Sequence, residues 1–220
     1  MSRPRVVIIG SGFGGLFAAR ALAHADVDVT LVSKIVSHLF QPLLYQVATG
    51  ILSTGEVAPA TRDVLRRQRN ATVLLAEVTG IDLAAHRIHA SKLGEDLSLD
   101  YDYLIVAAGA GQSYFGNDHF ATFAPGMKSI DDALELRARI FGSLEMAELT
   151  DDPEQRRRLM TFVVVGAGPT GAEMAGQIAE LTGHTLRDDY RRIDTTSARV
   201  LLFDGVDAVL GSFGPKLAER

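Results

Sequence analysis

A glycine turn that follows an apolar strand and opens a helix occurs twice in this chain, and no other feature restricts its fold as strongly. The first copy is RVVIIGSGFGGLFAARALAH (residues 5–24), and the second is FVVVGAGPTGAEMAGQIAEL (residues 162–181). Both contain G-x-G-x-x-G in the context of a dinucleotide-binding βαβ unit. The first glycine allows a tight bend, the second admits a pyrophosphate, and the third lets the helix approach the strand. The repetition predicts an α/β chain with two dinucleotide-binding turns.

Hydrophobic patterns place further elements around the first turn. Apolar runs at Val6–Ile9 and Val27–Val32 predict parallel strands of one sheet. The run YDYLIVAAGAG predicts another strand, fully apolar and buried, that ends in small residues. Between residues 72 and 98 the apolar side chains roughly alternate, which predicts an antiparallel meander beside the parallel sheet. The stretch TRDVLRRQRN (residues 61–70) predicts an exposed helix.

A long helix precedes the second turn, and a strand follows it. Leucine and isoleucine recur at helical spacing over Ile130–Leu149, and either Ser129 or Asp131 could cap the start of this helix. After the turn, VLLF at residues 200–203 predicts the next strand. We therefore expect an α/β fold with two Rossmann-like parallel sheets and an antiparallel meander.

The composition excludes several functional classes. The chain has no cysteine, which excludes disulfides, thiolate metal sites and cysteine redox pairs. Any redox chemistry must then belong to a bound cofactor, and no metal is expected. A net charge of -5 argues against nucleic acid as a partner. Because the sequence has no signal peptide and no run near the roughly 20 apolar residues of a membrane span, we expect a soluble cytoplasmic chain, or at most a peripheral one.

An acidic residue at the end of the second strand of such a unit binds the adenosine ribose. In the second unit this position is Asp204, which favours NADH over NADPH, although an ordinary strand-end turn would also explain an aspartate there. In the first unit the position is Ser33, followed by Lys34. A serine can hydrogen-bond a ribose hydroxyl, but without the charge-assisted strength of a carboxylate. Two such sites suit one flavin and one nicotinamide dinucleotide that exchange a hydride.

A resemblance to a known family rests on a longer motif, HLFQPLLYQVATG (residues 38–50). Together with GSGFGGLFAARAL, VVVGAGPTGAEMAGQIAEL and LIVAAGAGQSYFGNDHFATFAPGMKSIDDALELR, it resembles the type II NADH:quinone oxidoreductases of mycobacteria and related actinobacteria. The resemblance covers essentially the whole chain. It implies a flavoprotein with two dinucleotide-binding domains that passes a hydride from NADH to FAD and then reduces a quinone in respiratory electron transport, without pumping protons.

The same resemblance implies which residues hold FAD. The first glycine turn would bind the pyrophosphate, and the segment after residue 40 would pass beside the flavin ring. The implied contacts are Gly10, Gly12, Phe13, Gly14 and Gly15 at the pyrophosphate, Ser33 and Lys34 at the ribose, Gln41, Leu43, Leu44 and Gln46 at the ring, Val78 at the adenine, and Ala108 and Gly109 near the phosphates.

The implied NADH site lies at the second turn. Its pyrophosphate contacts are Gly166, Gly168, Pro169 and Gly171. Glu173, on the first turn of the following helix, would point towards the nicotinamide and the flavin. The candidate catalytic residues are Glu173 and Gln46. A carboxylate at that position is also explained by the helix dipole. His38 could deliver protons to a reduced flavin or quinone, although a polar loop histidine is the plainer interpretation.

The resemblance also implies a protein about twice as long as this chain. Residues 1–116 would form the first part of an FAD-binding domain, residues 117–158 a connecting segment and helix, and residues 159–220 the first part of an NADH-binding domain. Later segments of the family complete the flavin site and bind the inner face of the cell membrane as a peripheral anchor. We therefore expect this chain alone, without that anchor, to be impaired or inactive; a homodimer is left open.

Two other functions stay open at this point. One is an NADH-dependent reductase that passes electrons to a ferredoxin-type iron–sulfur protein, and the other is a truncated nucleotide-binding remnant without turnover. The absence of cysteine separates the chain from disulfide reductases and sulfide:quinone oxidoreductases, which need cysteines beside the flavin.

Overall fold

The computed structural model describes residues 2–214 and separates the chain into two units. One unit contains the residues up to Phe40 together with Gly55–Gly111, and the other contains Gln41–Thr54 and the residues from Gln112 onward. Each unit contains one of the two glycine turns. The parallel sheets and the separate antiparallel meander confirm the predicted α/β fold class.

Four parallel strands form the main sheet of the first unit. They are β1 (Arg5–Ile9), β2 (Asp28–Ser33), β3 (Ala71–Leu75) and β7 (Tyr103–Val106), in the spatial order β3-β2-β1-β7. Helix α1 (Phe13–Ala21) connects β1 to β2. Successive residues of β1 face opposite sides of the sheet, so Ile8 packs with Leu16 of α1 on one side, and Ile9 packs with Ile88 on the other.

The second face of this sheet is covered by the predicted antiparallel meander. Its strands are β4 (Glu77–Asp82), β5 (Arg87–Lys92) and β6 (Glu95–Asp100), paired in that order. The predicted start of the meander, at residue 72, was wrong. Residues 71–75 belong to the parallel sheet, where Val73 lies opposite Leu31 of β2.

Two further predictions for the first unit were also wrong. Strand β7 lies at the edge of its sheet and is not fully buried, since Tyr103 is 63% and Val106 60% exposed. The stretch over residues 61–70 forms only the short helix α4 (Thr61–Val64). The polar residues after α4 do not continue the helix. The side-chain amides of Gln68 and Asn70 donate instead to the carbonyl oxygens of Ala19 and Leu22 (2.8 and 3.0 Å).

The second unit is built around a pair of parallel strands and long helices. Strands β8 (Thr161–Val165) and β9 (Arg199–Phe203) are paired, and α7 (Pro169–Glu180) follows β8. The other α-helices among the described residues are α2 (Leu44–Ala48), α3 (Thr54–Val57), α5 (Ile130–Leu149) and α6 (Pro153–Leu159). Helix α2 packs against α5 and α7.

The start of α5 is fixed by a capping box. The Ser129 hydroxyl accepts the Asp132 N–H at 3.2 Å, and the Asp132 carboxylate accepts the Ser129 N–H at 2.9 Å. Of the two predicted caps, Ser129 is therefore the residue that caps the helix. In the part of the chain that the structure describes, neither α5 nor any other helix combines the length and the apolar character needed to cross a membrane.

Glu148 of α5 holds the loop that connects α7 to β9. Its carboxylate accepts the backbone N–H groups of Arg191, Arg192 and Ile193 at 3.1, 3.0 and 3.0 Å. Desolvation raises the pKa of Glu148, but the three N–H donors and the nearby Arg192 together bring it below the ordinary value of 4.5. The ionised carboxylate is thus the form that the folded loop stabilises.

We expect Glu148→Gln to lower the melting temperature at pH 7 by about 2–6 °C, because the amide turns a donor group towards backbone donors. A lowered folded-state pKa stabilises the protein above the unfolded value and loses this effect as pH falls through the folded value. The difference in melting temperature between Glu148→Gln and the wild type should therefore become smaller below pH 4.5. Thermal denaturation from pH 3 to 8 measures it. Glu145→Gln, whose amide keeps an oxygen to accept from the Tyr190 hydroxyl, is the matched control, and an equal effect of both variants would contradict the role of the three N–H donors.

Candidate functional site

The first glycine turn is shaped by contacts that only glycine permits. Gly10 adopts φ +101°, and a Cβ there would clash with the carbonyl oxygen of Ala107. A Cβ on Gly15 would clash with the carbonyl oxygen of Gly10. A Cβ on Gly12, in contrast, would have no atom within 4 Å. The fold therefore requires the first and third glycines, whereas the second faces open space where a ligand could approach the backbone.

The second turn repeats this geometry. Gly166 also adopts φ +101°, and a Cβ on Gly171 would clash with the Gly166 carbonyl oxygen. A Cβ on Gly168 would have no atom within 4 Å. In both turns the first glycine is required by its positive φ, the third by the carbonyl oxygen that it approaches, and the second is open.

Each open glycine begins a helix whose N-terminus has no side-chain cap. Gly12 and Gly168 are the N-caps of α1 and α7, and neither helix receives a capping side-chain hydrogen bond. The backbone N–H groups of a first helical turn lack intrahelical partners and carry the positive end of the helix dipole. Pro169 removes one of these donors in α7, while Phe13, Gly14 and Gly15 keep theirs in α1. Both turns therefore offer donors to a phosphate group.

Hydrogen bonds of buried side chains stabilise the backbone of the first turn. The hydroxyl groups of Ser11 and Ser33 are 2.9 Å apart, and both residues are buried. Ser11 also donates to the Ser37 carbonyl at 3.4 Å. The Nδ1 atom of His38 lies 2.9 Å from the Ser11 carbonyl oxygen, so Nδ1 carries the proton. His38 lies in the loop after β2, in agreement with the plainer interpretation, but it is only 8% exposed and supports the turn.

A carboxylate performs the same task at the second turn. One oxygen of Asp204 accepts the Ala167 N–H, and the other accepts the Val206 N–H at 3.2 Å. The Ala167 N–H is the main cause that keeps the pKa of Asp204 below its ordinary value. Asp204 therefore stays ionised at neutral pH at the end of β9, beside the glycine turn.

Phe13 lies in an aromatic cluster that the sequence analysis missed. Its ring stacks on Phe17 (6.4 Å between centroids) and meets His38 and Phe40 edge-on at 5.3 and 5.5 Å. Phe13 and Phe17 are four residues apart on α1, a spacing that places side chains together on one helix face, and this signal could have predicted the contact. Phe13 remains 40% exposed beside the turn.

The other first-unit candidates lie near the ends of parallel strands. Lys34 directly follows β2, and Ala108 and Gly109 come shortly after β7. All three are exposed, and Gly109 adopts φ +75°. Because the carboxyl ends of parallel strands meet at one edge of a sheet, they gather at the edge that carries the first turn. Val78 lies in β4, where the pairing with β5 is interrupted by a bulge.

The four ring-neighbour candidates belong to the second unit. Gln41 and Leu43 bound a short 3-10 helix, and Leu44 begins α2. The Leu44 side chain is fully buried. Gln46 is half-buried and donates to the Tyr45 hydroxyl at 3.1 Å.

Glu173 does not lie where the sequence analysis put it. It is the fifth residue of α7 and therefore lies beyond the first turn, which contains no acidic residue. A dipole effect fades within the first turn, so the dipole explains this carboxylate less well than expected. Glu173 is exposed, and it forms no hydrogen bond or ion pair with any described residue. Because α2 packs against α7, Glu173 and Gln46 lie on neighbouring helices.

The two classes of glycine should respond differently to alanine. Gly15→Ala and Gly171→Ala should lower the free energy of unfolding by about 1–3 kcal/mol or more, because each places a methyl group against a carbonyl oxygen. Gly12→Ala and Gly168→Ala should leave the melting temperature within a few degrees of wild type but weaken nucleotide binding about tenfold or more at their own turn. Thermal denaturation and titration calorimetry with ADP-ribose separate the two effects. Loss of stability in Gly12→Ala would contradict the assignment.

The sequence and fold of this chain are similar to those of known proteins. The family described as pyridine nucleotide-disulphide oxidoreductase matches residues 4–220. Two curated relatives from Mycobacterium tuberculosis are similar: the type II NADH:quinone oxidoreductase Ndh, 65% identical over 99% of this chain and 47% of its own length, and NdhA, 63% identical over 98% and 46%. The structure of NDH2 from Plasmodium falciparum in complex with NADH is 27% identical with a TM-score of 0.90, over 99% of this chain and 45% of that one. The chain thus spans about half the length of the relatives it matches, and the resemblance found in its motifs is confirmed.

Proposed function

This chain belongs to the pyridine nucleotide-disulphide oxidoreductase family, and we propose that it forms part of a type II NADH:quinone oxidoreductase. FAD would bind at the first glycine turn and NADH at the second. Bound FAD would accept a hydride from NADH and pass the electrons to a quinone, without proton pumping. The observation that carries this proposal is the pair of turns with one geometry, each with its second glycine open to a ligand. The 65% identity to a type II enzyme supports it.

The residues of the first turn fit the pyrophosphate of FAD. A methyl group at Gly12 would fill the space in front of the backbone, and the N–H groups of Phe13, Gly14 and Gly15 are the donors that a phosphate needs. The buried Ser11 and His38 would keep this backbone in place before the cofactor binds, so that little ordering is required on binding.

The residues of the second turn would bind and orient NADH. Gly168 leaves room for the pyrophosphate, Pro169 fixes the start of the helix, and Asp204 would accept hydrogen bonds from the ribose hydroxyl groups. Glu173 and Gln46 are proposed to contact the reacting rings, since their helices are neighbours in the second unit.

For the whole protein, we propose the domain division already given: residues 1–116, 117–158 and 159–220. A peripheral position on the inner face of the cell membrane, a membrane quinone as electron acceptor and a homodimer are further parts of this proposal. Their support is the similarity to quinone-reducing relatives that are about twice as long as this chain.

The visible absorption spectrum tests the proposed function directly. The whole protein of which this chain forms part, folded with FAD and freed of excess, should show a bound flavin spectrum that bleaches on addition of NADH and returns on addition of a soluble quinone analogue. Gly168→Ala should retain the flavin spectrum but bleach more slowly, because only its second turn is blocked. Folded protein that stays colourless would reject the flavin site, and bleaching reversed by a ferredoxin but not by the quinone would favour the ferredoxin-type reductase.

Asp204 should determine the choice between NADH and NADPH. Asp204→Asn keeps an oxygen for the Ala167 N–H but removes the negative charge that would repel a 2′-phosphate. We expect the preference for NADH, as the ratio of kcat/KM values, to fall about tenfold. Stopped-flow reduction of the flavin by each nucleotide measures the ratio. Asp207→Asn, an exposed acid on the loop after Asp204, is the matched control. An unchanged ratio in Asp204→Asn would rule out its contact with the ribose.

A further inference from the structure

The two turns differ in the residue that closes them at the end of the second strand. The positions are equivalent, because Gly10 donates to Val32 at 2.8 Å just as Gly166 donates to Phe203 at 2.7 Å. The next residue is Ser33 in the first turn and Asp204 in the second. Asp204 closes its turn with a carboxylate, whereas Ser33 closes its turn with a neutral hydroxyl.

The hydrogen bonds of Ser33 form a chain with a single direction. The Ser37 carbonyl can only accept, so the Ser11 hydroxyl donates to it at 3.4 Å. The Ser33 hydroxyl must then donate to Ser11 across 2.9 Å, while it accepts the Ile35 N–H at 3.3 Å. Ser33 is 7% exposed. Its only proton is therefore used inside the protein and is not available to a ribose hydroxyl.

The residue that directly follows Ser33 is a cation, Lys34. Lys34 is exposed and forms no ion pair with any described residue. The one acid of β2, Asp28, is at the opposite end of the strand, five residues or roughly 17 Å away. Glu77, the first residue of β4, follows Ala76, which donates to the Ser33 carbonyl at 3.0 Å. Glu77 is exposed and makes no ion pair with Lys34 in the described part of the chain.

In dinucleotide-binding turns, a strand-end carboxylate binds the unmodified ribose and disfavours a 2′-phosphate, while a nearby cation accommodates that phosphate. We propose that the first turn accepts adenine dinucleotides that carry a phosphate on the adenosine ribose, and that Ser33 and Lys34 determine this specificity. The proposal rests on the proposed function of the first turn as a nucleotide site. A phosphorylated adenine dinucleotide would then compete with FAD at the first turn, whereas Asp204 would exclude it from the second.

Titration calorimetry with two probes tests this specificity. ADP-ribose and 2′-phospho-ADP-ribose differ only in the phosphate, and a Gly168→Ala background limits binding to the first turn. The phosphorylated probe should bind at least as tightly as ADP-ribose. Ser33→Asp should weaken the phosphorylated probe about tenfold relative to ADP-ribose, and Lys34→Ala should weaken it about threefold. Lys92→Ala removes an exposed lysine from the end of β5 and should leave the ratio unchanged.

Folding of the variants does not limit this test. In Ser33→Asp the carboxylate would receive the Ser11 hydroxyl proton and the Ile35 N–H, so its buried position remains supplied with donors. Lys34→Glu changes only an exposed side chain and should reverse the preference.

Each contrary outcome has a distinct meaning. Binding of neither probe would reject the first turn as a nucleotide site, and this inference with it. If ADP-ribose binds at least tenfold more tightly than 2′-phospho-ADP-ribose, the inference is overturned and the proposed function stays intact. An unchanged ratio in both Ser33→Asp and Lys34→Glu would overturn the assignment of these two residues.

Discussion

The close approach of the third glycine to the carbonyl oxygen of the first is the contact on which both nucleotide turns depend. Gly15 lies against Gly10, and Gly171 lies against Gly166, at distances that no Cβ could occupy. This contact brings the start of each helix over the end of its strand, which directs the helix N–H groups towards one open point. Every chemical proposal for this chain follows from that placement, because it determines where a phosphate group can bind.

The residues that surround the two turns are not equivalent. The first turn is held by neutral, buried groups, and the exposed charge beside it is the lysine at position 34. The second is held by the carboxylate of Asp204, whose pKa is kept low by a backbone N–H. A buried hydroxyl pair and an ionised carboxylate can both close a turn, but only the carboxylate adds a charge that a ligand can sense. The same backbone can therefore serve two nucleotides with different ribose chemistry.

Much of the fold could be predicted because its signals are local. The glycine turns, the helix over Ile130–Leu149 and the meander each have a pattern in the sequence that matches their period. The errors arose where a tertiary contact decided the outcome. An apolar run cannot show that β7 lies at a sheet edge, and the polar run after Thr61 cannot show that Gln68 and Asn70 bind carbonyl groups of α1 and the residues after it.

The candidate site shows the same limit at the level of side chains. Motif spacing predicted which glycines approach the backbone, since that depends on geometry within about six residues. It could not predict that Ser33 directs its proton to Ser11, or that His38 is buried against the Ser11 carbonyl, since these contacts join residues 22 and 27 positions apart. The position of Glu173 was misjudged by less than one turn, yet this was enough to weaken the dipole argument.

A comparison of the two sheets shows how local the turn is. Within residues 2–214, Gly10 follows a strand of a four-stranded sheet, whereas Gly166 follows a strand that pairs with one other, yet both adopt φ +101°. A third strand is next to the first turn, where Ala107 crowds Gly10, and no described residue takes its place near Gly166. The common geometry must then come from the elements that both turns share. These are the contact between the first and third glycines and the bond from the first glycine to the neighbouring strand. The shape of each glycine turn in this chain thus depends on one strand, one helix and one neighbouring strand.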